Sequence, residues 1–587
     1  TYHLVQDSFE FEDQGSRQIK GYSDTMATWQ VMAARSPEER NRSRSDRHLT
    51  NMVGRREELG LLKSRWERST AGAGQVVLLS AEAGMGKTRL VDALLAEIEG
   101  NCRRVRLFCS ANHIQSPLYP VFNRLQREAE LLGDNAGDTP RERLRHLMAT
   151  RYQYPETLLP AVLSLVYMET DEGDTVSANP GEVMRILQQR LVETLLKQSR
   201  NQPTLVVLED AHWVDASTQG VMDLLAERIH DHAIMLLVTH RLEKQLPYTS
   251  AHVTRLTLSS LSRDQAARLI TGITGELPES AVREISEKGA GIPLFLEEIT
   301  KSLQARSVTE SPARVNNQTI PESLQASLLS ALDRLGEAKR LAQIGAVIGQ
   351  SFWRDVLTFV TNQPSETLES GLNQLVDNRI TVRESLGDNA LLRFRHALLR
   401  DAAYESLMRG QRAELHGRVA TFLAQSGKSE ERANQAVIAR HYEVAGDLDK
   451  AFSGWLEAGR TALNAGATTE AVELLERAHS LADRVSGEGV LPDRHYQLHM
   501  SRGQALNASR GAAATEAHES FRRAAAIGQE MDDVYCQVDA LDYLYGITFN
   551  AGRLVASMDV AHEMLGIGEA RNHPVALVSG HQGLGMT

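Results

Sequence analysis

The chain has 587 residues, 42% hydrophobic and 24% charged, which at roughly 100–200 residues per domain leaves room for about three to five domains. That composition excludes a collagen-like chain, a disulfide scaffold or wholesale disorder, and no apolar run approaches the roughly 18 residues that cross a bilayer. A formal charge of −12 argues against a coat for nucleic acid, and three cysteines without metal-ligand spacing suit a reducing cytoplasm.

Residues 1–33 contain two short strand-like runs, Phe9–Phe11 and Thr28–Met32, with a turn expected at Gly15 and a break at Lys20-Gly21. They are too few to fold alone and read as the end of a preceding domain. Thr1 in place of an initiator Met, and a helical pattern running into Thr587, point to a piece of a longer protein. Residues 34–50 are polar and carry both signs of charge, which makes them a solvated linker. Between 51 and 258, short β-branched runs alternate with amphipathic helices. The runs are QVVLLS (75–80), RVRLFC (104–109), TLVVL (204–208), AIMLLV (233–238) and VTRLTL (253–258), which predicts a mostly parallel sheet covered on both faces.

Residues 259–321 read as a helical lid and linker. Over 322–410 the pattern predicts helices at 322–335, 337–348 and 365–377 and a hairpin around Leu386–Asn389, together a winged helix. From 411 to 587 the chain is helical and Ala-rich. AGDLDKA, AGATTEA and SRGAAATEA share a small-residue turn, which predicts an incomplete α-solenoid of tetratricopeptide type. The expected fold is therefore multidomain, an α/β P-loop sheet followed by helical lid, winged helix and solenoid.

The strongest chemical signal is LLSAEAGMGKTRL (78–90), a strand, a Gly-rich loop and a helix start. Gly84, Met85 and Gly86 allow backbone N–H groups to approach phosphate. Lys87 would bridge the β- and γ-phosphates, Thr88 would ligate Mg²⁺, and Arg89 follows in the first helical turn. Ala81 stands where the strict phosphate-loop pattern has Gly. A buried strand ending in acids should complete such a site, and PTLVVLEDAHWVD (203–215) supplies an apolar run followed by Glu209 and Asp210. Glu209 is assigned to Mg²⁺ and Asp210 to the base that polarises water, with the reverse order open. Arg241, at the end of a neighbouring strand, is the candidate for the γ-phosphate.

These motifs resemble the STAND class of signal-transduction P-loop ATPases. They resemble more closely the ATPase part of large bacterial proteins in which a class III adenylate or guanylate cyclase domain precedes an AAA-type ATPase and tetratricopeptide repeats. MVGRREEL (52–59) is similar to the motif that places Val53, Gly54 and Arg55 near adenine. GAGIPLFLEEI (289–299) resembles the Gly-x-Pro motif, which implies Gly291 and Pro293 against the base. RFRHALLRDAAYESL (393–407) resembles the winged-helix segment in which His396 would sense the β-phosphate of ADP. FEFEDQG and IKGYS in residues 1–33 resemble the last strands of a cyclase domain. The resemblance spans about residues 51–480 and reaches the repeats loosely.

The resemblance implies a cytoplasmic ATP/ADP switch, closed with ADP and open with ATP, that requires Mg²⁺ and regulates an upstream cyclase. The repeats would bind a protein or small-molecule ligand, and an ATP-dependent oligomer is compatible with this scheme. Two alternatives stand beside it. One is a transcriptional regulator of the same class with a further DNA-binding domain, and the other a non-hydrolysing scaffold. DNA binding by 322–410 itself is not expected, because Asp333, Glu337, Asp355, Glu366, Glu369 and Asp377 interrupt any basic stripe.

Overall fold

The computed structural model describes residues 9–18, 25–34, 52–98, 102–130, 139–160, 163, 180–244, 246–275, 277–309, 324–383, 390–426, 435–485 and 492–587. The linker at 35–50, most of the polar stretch before 322 and the expected wing turn at 386–389 lie outside them. Strands β1 (Phe9–Gln18) and β2 (Thr25–Ala34) form an antiparallel pair, longer than the two predicted runs. Gly15 does not turn the chain. It lies inside β1, where the register slips between Asp13 and Ser16, because a bulge uses the same backbone freedom as a turn.

The next unit follows in the order α1 (Arg56–Thr70), β3 (Gln75–Ser80), α2 (Lys87–Glu97), β4 (Arg103–Phe108), α3 (Tyr119–Glu130), α4 (Pro140–Thr150), α5 (Pro180–Ser199), β5 (Thr204–Glu209), α6 (Ala216–Arg228), β6 (Ile234–His240) and β7 (Val253–Thr257). All five strands are parallel, in the order β4-β5-β6-β3-β7. Every residue of β5 and β6 is buried, which is why these strands read as continuous apolar runs and not as alternating ones. Successive residues still face opposite ways. Val77, Leu79, Val207 and Leu237 pack with Leu90 and Leu94 of α2, whereas Val76, Leu78, Val206 and Leu236 pack under α5 and α6.

A lid follows, of α7 (Arg263–Thr274), α8 (Glu279–Lys288) and α9 (Pro293–Thr309), around Leu269, Ile270, Ile285, Leu296 and Ile299. Ser262 and Gln265 form a capping box that starts α7. Beyond it lie α10 (Leu324–Asp333), α11 (Ala338–Ile348), β8 (Ser351–Trp353), α12 (Arg354–Thr361), α13 (Ser365–Asp377), β9 (Thr381–Arg383), β10 (Leu391–Phe394) and α14 (Ala397–Glu405). The predicted two-stranded wing is a three-stranded antiparallel sheet, β8-β10-β9. β8 and α12 carried no clear sequence signal, since a three-residue strand is shorter than any periodicity can reveal.

The rest is helical: α15 (Arg409–Ser426), α16 (Gln435–Ala445), α17 (Leu448–Asn464), α18 (Thr468–Ala482), α19 (Pro492–Arg510), α20 (Thr515–Glu530), α21 (Val534–Asn550), α22 (Leu554–Arg571) and α23 (Pro574–Met586). Each packs on its neighbour in chain order. The repeated small-residue turns do one job: Gly446, Gly466, Gly511 and Gly552 all have positive φ between consecutive helices. Asp532 and Asn572 take that conformation at the two turns that lack glycine, which explains why the repeat looks irregular in sequence. No described helix is long and apolar enough to cross a membrane.

Candidate nucleotide site

The loop between β3 and α2 lies at the carboxyl ends of the strands, where open parallel sheets bind ligands. Gly84 and Gly86 have φ of +81° and +91°, and space beside Gly86 is open for 4 Å. Ala81, buried at the strand exit, donates its N–H to the His240 carbonyl at 3.3 Å. Lys87 begins α2, and its Nζ donates to the carbonyls of Ala81 (2.7 Å) and Glu82 (3.2 Å). Burial lowers its pKa, which the Asp210 carboxylate partly offsets. Thr88 and Arg89 follow in the first turn of α2.

The two acids after β5 part company. Glu209 is buried and ion-paired with Arg106, which also meets Asp92 of α2 at 2.8 Å. Asp210 instead has φ +55° and donates its N–H to Thr239 Oγ1 at 3.0 Å. Burial and the neighbouring Glu209 push its carboxyl up to about 6, while Lys87, Arg241 and Arg400 oppose the rise. The left-handed kink at Asp210 therefore turns its carboxylate into the company of Lys87, and Glu209 stays behind with Arg106.

Arg241 follows β6, with its guanidinium 5.5 Å from the Trp213 ring centroid. Both ring nitrogens of His212 are buried without a protein partner, and burial drops its pKa to about 3.

The other expected residues gather around the same loop. Val53 packs against the lid core, and the Gly54 carbonyl accepts Gln265 Nε2 of α7 at 3.3 Å. Arg55 is buried and donates to the carbonyls of Ser259 (2.6 Å) and Met85 (3.4 Å). Gly291 accepts the Leu261 N–H, and Leu294, next to Pro293, donates to the Gly84 carbonyl at 3.2 Å. His396 sits just before α14, where burial and Arg395 hold its pKa near 4 and Glu297 of α9 opposes them. Its charged neighbours are on α9 and its own segment.

Three residues here were not anticipated. Arg106 sits at a half-buried position of the alternating edge strand β4, where nothing in the sequence sets it apart from Arg104. Thr239 and Arg400 gave no signal either, because their partners are remote in sequence. Arg400, on α14, lies 5.9 Å from the Trp213 ring, and Arg393 lies 6.0 Å from that of Phe108 at the end of β4. The segment 393–400 thus lies across the carboxyl edge of the parallel sheet.

Residues 51–238 match the AAA ATPase domain family. That match implies nucleotide binding by this part of the chain. The chain is also 26% identical over 502 residues to an uncharacterized protein of Rhizobium meliloti (strain 1021), covering 83% of this chain and 48% of that one. It therefore spans about half the length of this curated relative. Among solved structures, a STAND protein with a tetratricopeptide repeat sensor from Pyrococcus horikoshii matches at a TM-score of 0.37 and 12% identity, over 91% of this chain and 80% of that one. Drosophila ORC bound to DNA matches at 0.29 and 12%, over 66% of this chain and 96% of that one.

Proposed function

We propose that the chain is a slow regulatory ATPase switch whose lid and winged helix close over bound nucleotide. The observation that carries this reading is the course of residues 393–400 over the carboxyl edge of the sheet, against Phe108 and Trp213. A body lying there senses what occupies the phosphate loop beneath it.

The residues fit a nucleotide with its metal. The loop has open space at Gly86, a lysine at the helix start, an acid facing that lysine, and the orphaned ring nitrogens of His212 nearby. Gly84, Met85, Gly86, Lys87 and the α2 N-terminus would hold the phosphates, with Arg89 behind them. Val53, Gly54, Arg55, Gly291 and Pro293 would flank the base, and His396 would report on the β-phosphate through Glu297. Thr88 would hold Mg²⁺, which when bound supplies neutralising charge at the phosphate oxygens. Glu209, committed to Arg106, would add negative charge from behind that position and not a direct bond. Asp210 would accept the proton of the attacking water, a role suited to a carboxyl raised toward neutrality, and Arg241 would face the γ-phosphate.

The ADP form would be closed and the ATP form open. Inverting such an equilibrium requires ATP to favour the open form by about 5.5 kcal/mol relative to ADP. The repeats would tune it by binding a protein or small molecule, and the output would be an adenylate or guanylate cyclase preceding residue 33. A longer chain including that region, assayed for cyclic nucleotide with and without ATP, tests the output. For the switch itself, Lys87→Ala should lose ATP binding by calorimetry with its melting transition intact. Unchanged affinity would remove the phosphate-loop assignment.

A further inference from the structure

We propose that Arg400 of the winged helix is a second γ-phosphate arginine beside Arg241, so that ATP is hydrolysed only while the winged helix is docked. This rests on the nucleotide site described above and adds to it a residue from another structural unit.

Trp213 is the meeting point. The guanidinium carbons of Arg241 and Arg400 lie 5.5 Å and 5.9 Å from the centre of its ring. One arginine follows β6 of the parallel sheet, and the other projects from α14. The Arg400 side chain is only 14% exposed, so its charge acts in a poorly screened setting. The adjacent Asp401 accepts from both Nε, at 2.9 Å, and Nη2 through one carboxylate oxygen, which fixes the plane of the guanidinium beside Trp213.

Cations from three parts of the chain converge on one carboxylate. Lys87, Arg241 and Arg400 all act on the single carboxylate of Asp210, and the other acid, Glu209, is taken by Arg106. Two of these cations have further acids beside them, Glu82 near Lys87 and Asp401 paired with Arg400, yet all three reach the same carboxylate from the phosphate loop, a strand end and the winged helix. A planar, forked cation brought to such a place matches a tetrahedral phosphate bearing several oxygens. The terminal phosphate of a nucleoside triphosphate, seated beyond Lys87, supplies those oxygens, and ADP does not.

The reaction served is attack of a water oxygen on the γ-phosphorus. The bond from that phosphorus to the β–γ bridging oxygen breaks, and ADP departs with the bridging oxygen. The water proton passes to Asp210 and then to the released phosphate. Negative charge grows on the bridging oxygen and persists on the transferring group, where Arg241 and Arg400 stabilise it. Undocking withdraws Arg400 and preserves the ATP form, and redocking triggers the hydrolysis that ends it.

The test measures steady-state ATP hydrolysis and ADP dissociation for the wild type, Arg400→Ala, Arg400→Lys and Lys87→Ala. Arg400→Ala should lower kcat by about 100-fold or more, with KM and the ADP dissociation constant within about threefold. Arg400→Lys should recover only part of the loss, because lysine keeps the charge but not the fork. A kcat for Arg400→Ala within about threefold of wild type overturns the proposal. Faster ADP release at unchanged kcat also overturns it, since the residue is then a clamp. Should Arg400→Ala lose cooperative melting, Arg400→Lys decides, and wild-type kcat in that variant overturns the proposal. A wild type that binds no nucleotide, or binding indifferent to Lys87→Ala, overturns the site itself and this inference with it.

Discussion

The Glu470 carboxylate at the start of α18 accepts the Ser217 backbone N–H at the start of α6, 2.7 Å away in a buried contact. A residue of the helical stack thereby caps a helix of the ATPase unit. Asp215 caps the same helix from its N-cap position, with Oδ1 accepting Thr218 N–H and Leu118 N–H at 2.8 Å. Burial pushes the Asp215 carboxyl up to about 7, with Glu470 adding to the rise. Asp215 lies in the segment that begins at Asp210, so this seam connects the stack to the candidate site.

Glu470→Ala should destabilise the chain by about 1–3 kcal/mol, the cost of leaving a buried N–H unpaired. Glu470→Gln retains an oxygen for Ser217 and should lose much less. Denaturant melts of the two variants separate the hydrogen bond from the charge. Equal losses would mean that packing, not the cap, joins the two units.

Glu209 and Asp210 should fail in different ways. Glu209→Gln leaves Arg106 with Asp92 alone, so it should cost stability, at or below the roughly 3–5 kcal/mol of a broken buried pair. Asp210→Asn should leave melting nearly unchanged, retain bound ATP and reduce turnover by about 10²-fold or more. Thermal melts and single-turnover hydrolysis decide between these assignments, and the opposite pattern would reverse them.

That division could not be read from the sequence, where two adjacent acids after a buried strand look equivalent. The strand was legible because Leu205 to Leu208 form a buried, unbroken apolar run up to Glu209. The roles depend on the αL turn at Asp210 and on an arginine from the adjacent strand, which no local pattern encodes. The phosphate loop, the sheet strands and the helices at 338–348 and 365–377 were legible because period and glycine spacing are local properties. The seam at Glu470 and the reach of Arg400 were not, because each joins residues far apart in the chain.

A histidine pair at the junction of winged helix and stack should make stability fall in acid. His416 Nδ1 and His441 Nδ1 are 2.8 Å apart, and Tyr404 Oη lies 3.1 Å from His416 Nε2. A neutral His416 satisfies both contacts, accepting from Tyr404 and donating to His441. Burial, with Arg440 and Arg412 nearby, lowers His416 to about 4, and burial with His416, Arg440 and His113 holds His441 well below the usual histidine range. The unfolded chain therefore binds more protons between about pH 6.5 and pH 4, so the pair's contribution is complete at neutral pH and lost as pH falls. Each histidine adds a slope of about 1.4 kcal/mol per pH unit across that window. Raised carboxyls such as Asp215 act with the opposite sign, so the comparison must be differential. The stability gap between wild type and His416→Gln should narrow from pH 7 to pH 5, and a constant gap would refute the coupling.

Gly291 ties the lid to the phosphate loop through backbone shape. Its φ is +69°, and a methyl group there would stand 2.4 Å from the Leu261 carbonyl oxygen and 3.0 Å from Ser260 Cβ. The Leu261 N–H donates to the Gly291 carbonyl at 2.8 Å, and three residues on, Leu294 holds the Gly84 carbonyl. Gly291→Ala must therefore either shift the lid or strain the backbone, at a cost of about 1–3 kcal/mol. Because the same segment touches the phosphate loop, nucleotide affinity should fall together with melting temperature. Gly410→Ala is the control: that glycine lies in α15 with nothing within 4 Å, and alanine there should be neutral or slightly stabilising. Calorimetry with ADP on both variants checks the link, and a Gly291→Ala protein that melts lower yet binds ADP normally would uncouple the lid from the loop.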